Sequence, residues 1–147
     1  MSSFNPDTFL NTEFSEAFDT VKIPCPEGEF QAMLKDFKTR VTTTGQVVMD
    51  VYWIVMDDEA RDATGQAEPM VRQSLWLDVL DSGALDGGKG KNVDLGKLRD
   101  ALGQNQKGQT WTPGQLKGGV ARIKVVQSID KRDNETVQAD VRSVAAI

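Results

Sequence analysis

Between Gln46 and Met56 the chain alternates without a break: Val47, Met49, Val51, Trp53 and Val55 fall on one face of an extended segment, and Val48, Asp50, Tyr52 and Ile54 on the other. A period of two held this long, in β-branched and aromatic side chains, does not suit a helix stripe and reads as a strand of a hairpin. Glu29–Val41, which together with 46–56 is rich in Val, Phe, Tyr, Trp and Thr, supplies a partner, and Thr42-Thr-Thr-Gly45 between them reads as a hairpin turn. A chain of 147 residues closes one core, so the later elements have to complete the same sheet.

Beyond an acidic segment at 57–68, expected to be a loop, Val71–Leu80 forms a third strand with Val71, Leu75, Leu77 and Val79 inward. Its other face carries Arg72, Ser74, Trp76 and Asp78. A Gly-rich loop, Ser82–Gly90, leads to Asp94–Gly103, where Leu95, Leu98 and Leu102 recur at helical spacing and Gly103 marks the stop. Trp111 lies in the next loop, expected to pack beneath it. Gly119–Gln127, with Ala121, Ile123 and Val125 inward, and Thr136–Val144 are the last strands, joined by the charged turn Asp130–Asn134. Five strands with one helix between the third and fourth is the order of the OB-fold, a Greek-key barrel that binds its ligand across strands 2 and 3 and the 1–2 and 4–5 loops. The domain is expected over 29–147, mainly β, behind an arm at 1–28. That arm is acidic and carries Phe4, Phe9, Phe14 and Phe18, of which Phe14 and Phe18 can share a face of a short helix packed on the domain or can face a partner.

Charge and composition narrow the chemistry. There is no histidine and a single cysteine, Cys25, between Pro24 and Pro26; His-based triads, Cys/His dyads and zinc sites are thereby removed, and Cys25 reads as a packing residue. The net charge of −5 argues against indiscriminate phosphate binding. It is unevenly spread, however: 1–29 and 57–68 together hold −9, leaving +4 on the remaining stretches. No apolar run approaches the ~20 residues of a membrane helix and no signal peptide opens the chain, so a cytoplasmic protein is expected.

Single-stranded nucleic acid is held by aromatic platforms under bases and by cations along phosphates, without a catalytic group. Tyr52 and Trp76 fall on the outward faces of adjacent strands, beside Arg72. Lys35, Lys38 and Arg40 lie on the first strand, Lys131 and Arg132 on the last turn, and Arg122 and Lys124, with Arg142, extend the track. Each also has a plain structural reading, as solvated surface or, for Trp76, as a ring covered by the arm or acidic loop; Trp53 belongs to the core set. Two enzymatic patterns compete. Gly83–Lys89 fits GxxxxGK, but Gly90 follows in place of the magnesium-binding hydroxyl. Asp36-Phe-Lys38 matches an acid-x-Lys nuclease step with nothing else beside it. No enzyme, catalytic residue, metal or cofactor is expected.

Pro26-Glu-Gly-Glu-Phe30, the turn Thr44-Gly45-Gln46, the helix Leu95-Gly-Lys-Leu-Arg-Asp-Ala-Leu-Gly103, and Leu116-Lys-Gly-Gly119 leading into Ala121-Arg-Ile-Lys-Val125 resemble one group of bacteriophage-encoded proteins. These are single-stranded DNA-binding proteins once filed as a domain of unknown function, and the likeness spans about residues 26–147. The resemblance implies an OB-fold that coats single-stranded DNA during phage replication, recombination or repair in an infected bacterium, without strong sequence preference. Bacterial-type binders recruit partners through an acidic C-terminal tail. Here the last residues are Ser143-Val-Ala-Ala-Ile147, so any recruitment of phage replication or recombination proteins falls to the acidic N-terminal segment or happens otherwise. One OB domain covers about 4 to 16 nucleotides, so coating requires a homo-oligomer or a cooperative array. The competing reading is a virion structural or assembly protein whose barrel and aromatic arm serve packing.

Overall fold

The computed structural model describes residues 3–147. Its elements are α1 (Pro6–Leu10), β1 (Gly28–Val41), β2 (Val47–Val55), α2 (Asp58–Thr64), β3 (Met70–Leu77), α3 (Val93–Ala101), a 3₁₀ turn (Pro113–Leu116), β4 (Val120–Ile129) and β5 (Val137–Ala145). The strands close into a barrel in the order β1-β2-β3-β5-β4. Every pairing is antiparallel except the short parallel contact of β3 with β5 at Arg72 and Asp140. With α3 between β3 and β4, this is an OB-like barrel.

Closure depends on β1, which serves two neighbours: β4 along Gly28–Met33 and β2 along Ala32–Val41. Between Leu34 and Asp36 its register with β2 slips, leaving Lys35 as the extra residue of a bulge, the usual device for bending a strand round a barrel. Gly118 and Gly119 brace the bend, through Gly118 N–H to Leu34 O and Leu34 N–H to Gly119 O, both 2.8 Å. A Cβ at 119 would stand 2.8 Å from a methyl group of Leu102, so any larger residue there requires that side chain to move.

The core is the alternation read from sequence. Phe30, Ala32 and Leu34 meet Met49, Val51, Trp53 and Val55, then Val71 and Leu75, then Ala121, Ile123 and Val125. Leu95, Leu98 and Leu116 extend it from α3 and the 3₁₀ turn. Trp53 is wholly buried, and its indole N–H donates to Gln73 Oε1 at 3.0 Å, so its one polar atom is satisfied. Cys25 is part of this core; burial first, then the nearby Asp57 carboxylate, push its thiol up to about 11.

Four local expectations change. The acidic segment is not a plain loop: Asp57 caps α2 by accepting Glu59 N–H, Asp58 and Glu59 sit in its first turn, and Gly65 ends it in the left-handed region. Ala60 and Thr64, four apart, are its buried side. The arm's helix is α1, started by Asn5, whose side chain accepts from Asp7 and Thr8 N–H. Phe14 and Phe18 therefore do not pack on the barrel; their rings lie 4.7 Å apart in solvent, as Phe4 and Phe9 do at 5.6 Å. β3 ends at Leu77, and Val79 instead bridges to Leu85 across the Gly-rich loop, exposed and outside the core. Finally, both faces of β2 are largely buried, since Val48, Asp50 and Ile54 are enclosed on the side expected to be open.

Candidate nucleic-acid interface

Because β2 lies between β1 and β3, outward side chains form rows across three strands. Register places Asp36, Tyr52 and Arg72 in one row, Lys38, Asp50 and Ser74 in the next, and Arg40, Val48 and Trp76 in the third. The rings at the two ends of the face remain accessible: Trp76 is 54% exposed and Tyr52 is half-buried.

Beneath them sits the one buried acid of the described residues, Asp50. It accepts Arg40 Nε at 2.8 Å and Ser74 Oγ at 2.7 Å. Burial works to raise its pKa, but the Arg40 and Ser74 bonds, helped by the charges of Arg40 and Arg72, prevail and hold it below the usual carboxylate range. Asp36 is likewise below that range, through its bonds from Phe37 N–H and Lys117, whose Nζ lies 3.1 Å away. The face therefore carries aromatic surface and surplus cations above carboxylates that are already engaged, an arrangement able to stack bases and meet phosphates.

Of the ten residues picked from sequence, five are gathered on this face: Lys38, Arg40, Tyr52, Arg72 and Trp76. Lys35 stands in the β1 bulge. Arg122 and Lys124 are exposed on β4, opposite Gln31 and Glu29 on the first half of β1, one strand away from the aromatic rows. Arg142 falls at the irregularity in β5, between Val141 and Ser143. Lys131 and Arg132 are on the β4–β5 turn, which leads into β5 beside the Met70 end of β3, whereas the β1–β2 turn lies at the Leu77 end. Among the described residues no ion pair engages Lys35, Lys38, Arg72, Arg122, Lys124 or Lys131.

Arg132 is folded back on its own loop, Nη2 to Asp130 Oδ2 at 2.8 Å, with its backbone N–H on the same carboxylate. Asp133 is held down at about 2 by the Thr136 hydroxyl and the N–H groups of Glu135 and Thr136. These bonds shape the turn that presents Lys131.

Sequence reading passed over Asp50 as a participant, although an acid at the centre of a continuous β run is itself a signal of a satisfied buried partner. It also gave Trp111 a packing role alone. Its indole N–H donates to Gln104 Oε1 at 3.0 Å, and the Arg99 guanidinium lies 4.2 Å over its ring. In the GxxxxGK stretch, Asp86 accepts Gly88 N–H at 2.9 Å, so an anion already occupies a donor that a phosphate cradle needs. No helix among the described residues is long and apolar enough to cross a membrane.

No protein-family model matches the chain, and no curated protein matches it.

Proposed function

We propose that this chain binds single-stranded DNA across the β2–β3 face, as the phage-type resemblance implies, and coats it without strong sequence preference. The observation that carries the reading is Trp76, a large ring left more than half exposed on an otherwise closed barrel, with Arg72 and Tyr52 on the same face. Leaving such a ring in water forgoes the burial that would stabilise the fold; stacking under a base recovers it. Lys38 and Arg72 meet backbone phosphates directly. Lys35, Arg122, Lys124 and Lys131 extend the path, while Arg40 and Arg132 act from within ion pairs.

A test is tryptophan fluorescence titrated with a deoxythymidine 30-mer (about 2 to 7 footprints of one OB domain) and with a duplex of equal length, at low and moderate salt. Quenching by the single strand alone, weakened by salt, is expected. No response to either would overturn the reading.

The exposed phenylalanines of the arm favour a second reading, assembly of copies through Phe4, Phe9, Phe14 and Phe18. In the DNA-binding reading the same contacts link neighbours along a strand. In a virion structural protein they would be the main function.

A further inference from the structure

A groove of about 480 Å³ opens beside the exit of β3, outside the face described above. One wall is the Gly-rich loop with Asp86 and Lys91; the other is α3 with Trp111. Asn92 joins the groove to the end of β3. Its Oδ1 accepts Asp78 N–H at 2.8 Å, its Nδ2 donates to Asp78 O at 2.8 Å and to Asp86 O at 2.9 Å, and its own N–H donates to Asp78 Oδ2 at 2.9 Å. Asp78 is two residues beyond Trp76, so the groove begins where the aromatic face stops. Four hydrogen bonds at one residue build that wall before any ligand arrives, which lowers the ordering cost of binding.

The opposite wall is equally fixed. Arg99 Nε and Nη2 both donate to Gln104 O, at 3.2 and 2.9 Å, while the Gln104 side chain accepts from Trp111. One residue thus anchors a cation stacked on an aromatic ring, a combination suited to a nucleobase and its phosphate. Lys91 is exposed at the rim, and the Asp86 carboxylate is turned to Gly88 N–H. The lining also includes Gly96, in the middle of α3. Glycine is a poor helix former, yet a Cβ at this position would meet nothing within 4 Å. Packing does not require the glycine; its effect is to leave the groove open.

We infer that this groove is a second nucleotide subsite. A single strand stacked on Trp76 continues past the end of β3 and seats one further nucleotide here, its base against the Arg99–Trp111 pair and its phosphate on Lys91. The inference rests on the single-stranded DNA reading of the β2–β3 face.

The test uses the full chain and labelled oligodeoxythymidines from about 4 to about 16 nucleotides, the span of one OB domain. Binding is followed by fluorescence anisotropy for the wild type, Gly96→Leu and Lys91→Glu. Gly96→Leu fills the groove while improving the helix, and Lys91→Glu alters an exposed side chain, so neither substitution threatens the fold. Both variants should match the wild type on the shortest strands and bind the longer ones more weakly: Gly96→Leu by roughly 5- to 150-fold, the loss of one stacked base, and Lys91→Glu by a factor that shrinks as salt rises, the loss of one phosphate contact. Wild-type affinity for every length in both variants would overturn the subsite and leave the face intact. Failure of the wild type to bind any length would overturn both.

Discussion

Arg40 and Asp50 are joined diagonally across β1 and β2: Arg40 pairs in register with Val48 and Asp50 with Lys38, yet Arg40 Nε reaches Asp50 Oδ2 at 2.8 Å. The contact binds a cation at the rim of the candidate face to a buried carboxylate at its centre. Part of the positive charge counted from the sequence is therefore spent inside the protein.

Replacing that carboxylate separates its two effects. Asp50→Asn should cost about 1 kcal/mol at neutral pH, below the usual contribution of a charged hydrogen bond because Arg40 is half exposed and water screens the pair. The folded-state pKa of Asp50 is depressed, so its contribution is complete above the ordinary value of 3.8 and is lost as pH falls through the lower, folded value. Urea melts of variant and wild type should accordingly converge in acid. Freeing Arg40 should at the same time steepen the slope of log affinity against log salt for single strands, by roughly 0.7. An unchanged slope would show that freeing Arg40 adds no phosphate contact.

The two tryptophans of β2 and β3 should behave oppositely. Trp76→Ala should lose about 1 to 3 kcal/mol of binding to oligodeoxythymidine with an unchanged thermal melt. Trp53→Ala should destabilise by about 3 to 5 kcal/mol, because it opens a cavity in the core and leaves Gln73 without its donor. Calorimetry beside a binding titration distinguishes them. Retained affinity in Trp76→Ala would remove this ring from the site.

On the β4–β5 turn, Lys131 is unpaired among the described residues and Arg132 is held by Asp130. Lys131→Ala should shallow the salt slope by roughly 0.7, and Arg132→Ala should change it less. Equal effects would mean that the Asp130 contact opens when DNA binds.

Cys25 should be inert in the folded protein. Burial raises its thiol to about 11, so at pH 8 almost no thiolate exists and the sulfur is enclosed. A disulfide reagent should react with it only after denaturant is added. The raised pKa also makes stability fall as pH climbs from about 9 toward 11, where the unfolded chain releases the proton first.

Removal of residues 1–18 should leave the barrel's stability within about 0.5 kcal/mol, because Phe4, Phe9, Phe14 and Phe18 are exposed rather than packed on it. Sedimentation should then show smaller species than the full chain gives. Unchanged association would place the contact between copies elsewhere.

The barrel itself could be read from letters because its signal is local. Alternation in Val47–Val55 and in Ala121–Val125 sorts side chains by face whatever the neighbours, and the Leu spacing with Gly103 marks α3. α2 escaped notice for the converse reason: seven residues are too few for a helical period to show, and only Asp57 and Gly65 signalled its ends.

The site divides along the same line. That Tyr52, Arg72 and Trp76 point outward follows from counting along one strand. That Asp50 lies beneath Arg40, that Lys35 is displaced into a bulge, and that Arg99, Gln104 and Trp111 make a wall facing the Gly-rich loop depend on register and on contacts between distant segments. Periodicity is a property of a few consecutive residues. Register, bulges and grooves arise only when closing the barrel selects one set of long-range contacts from many that the same local pattern allows.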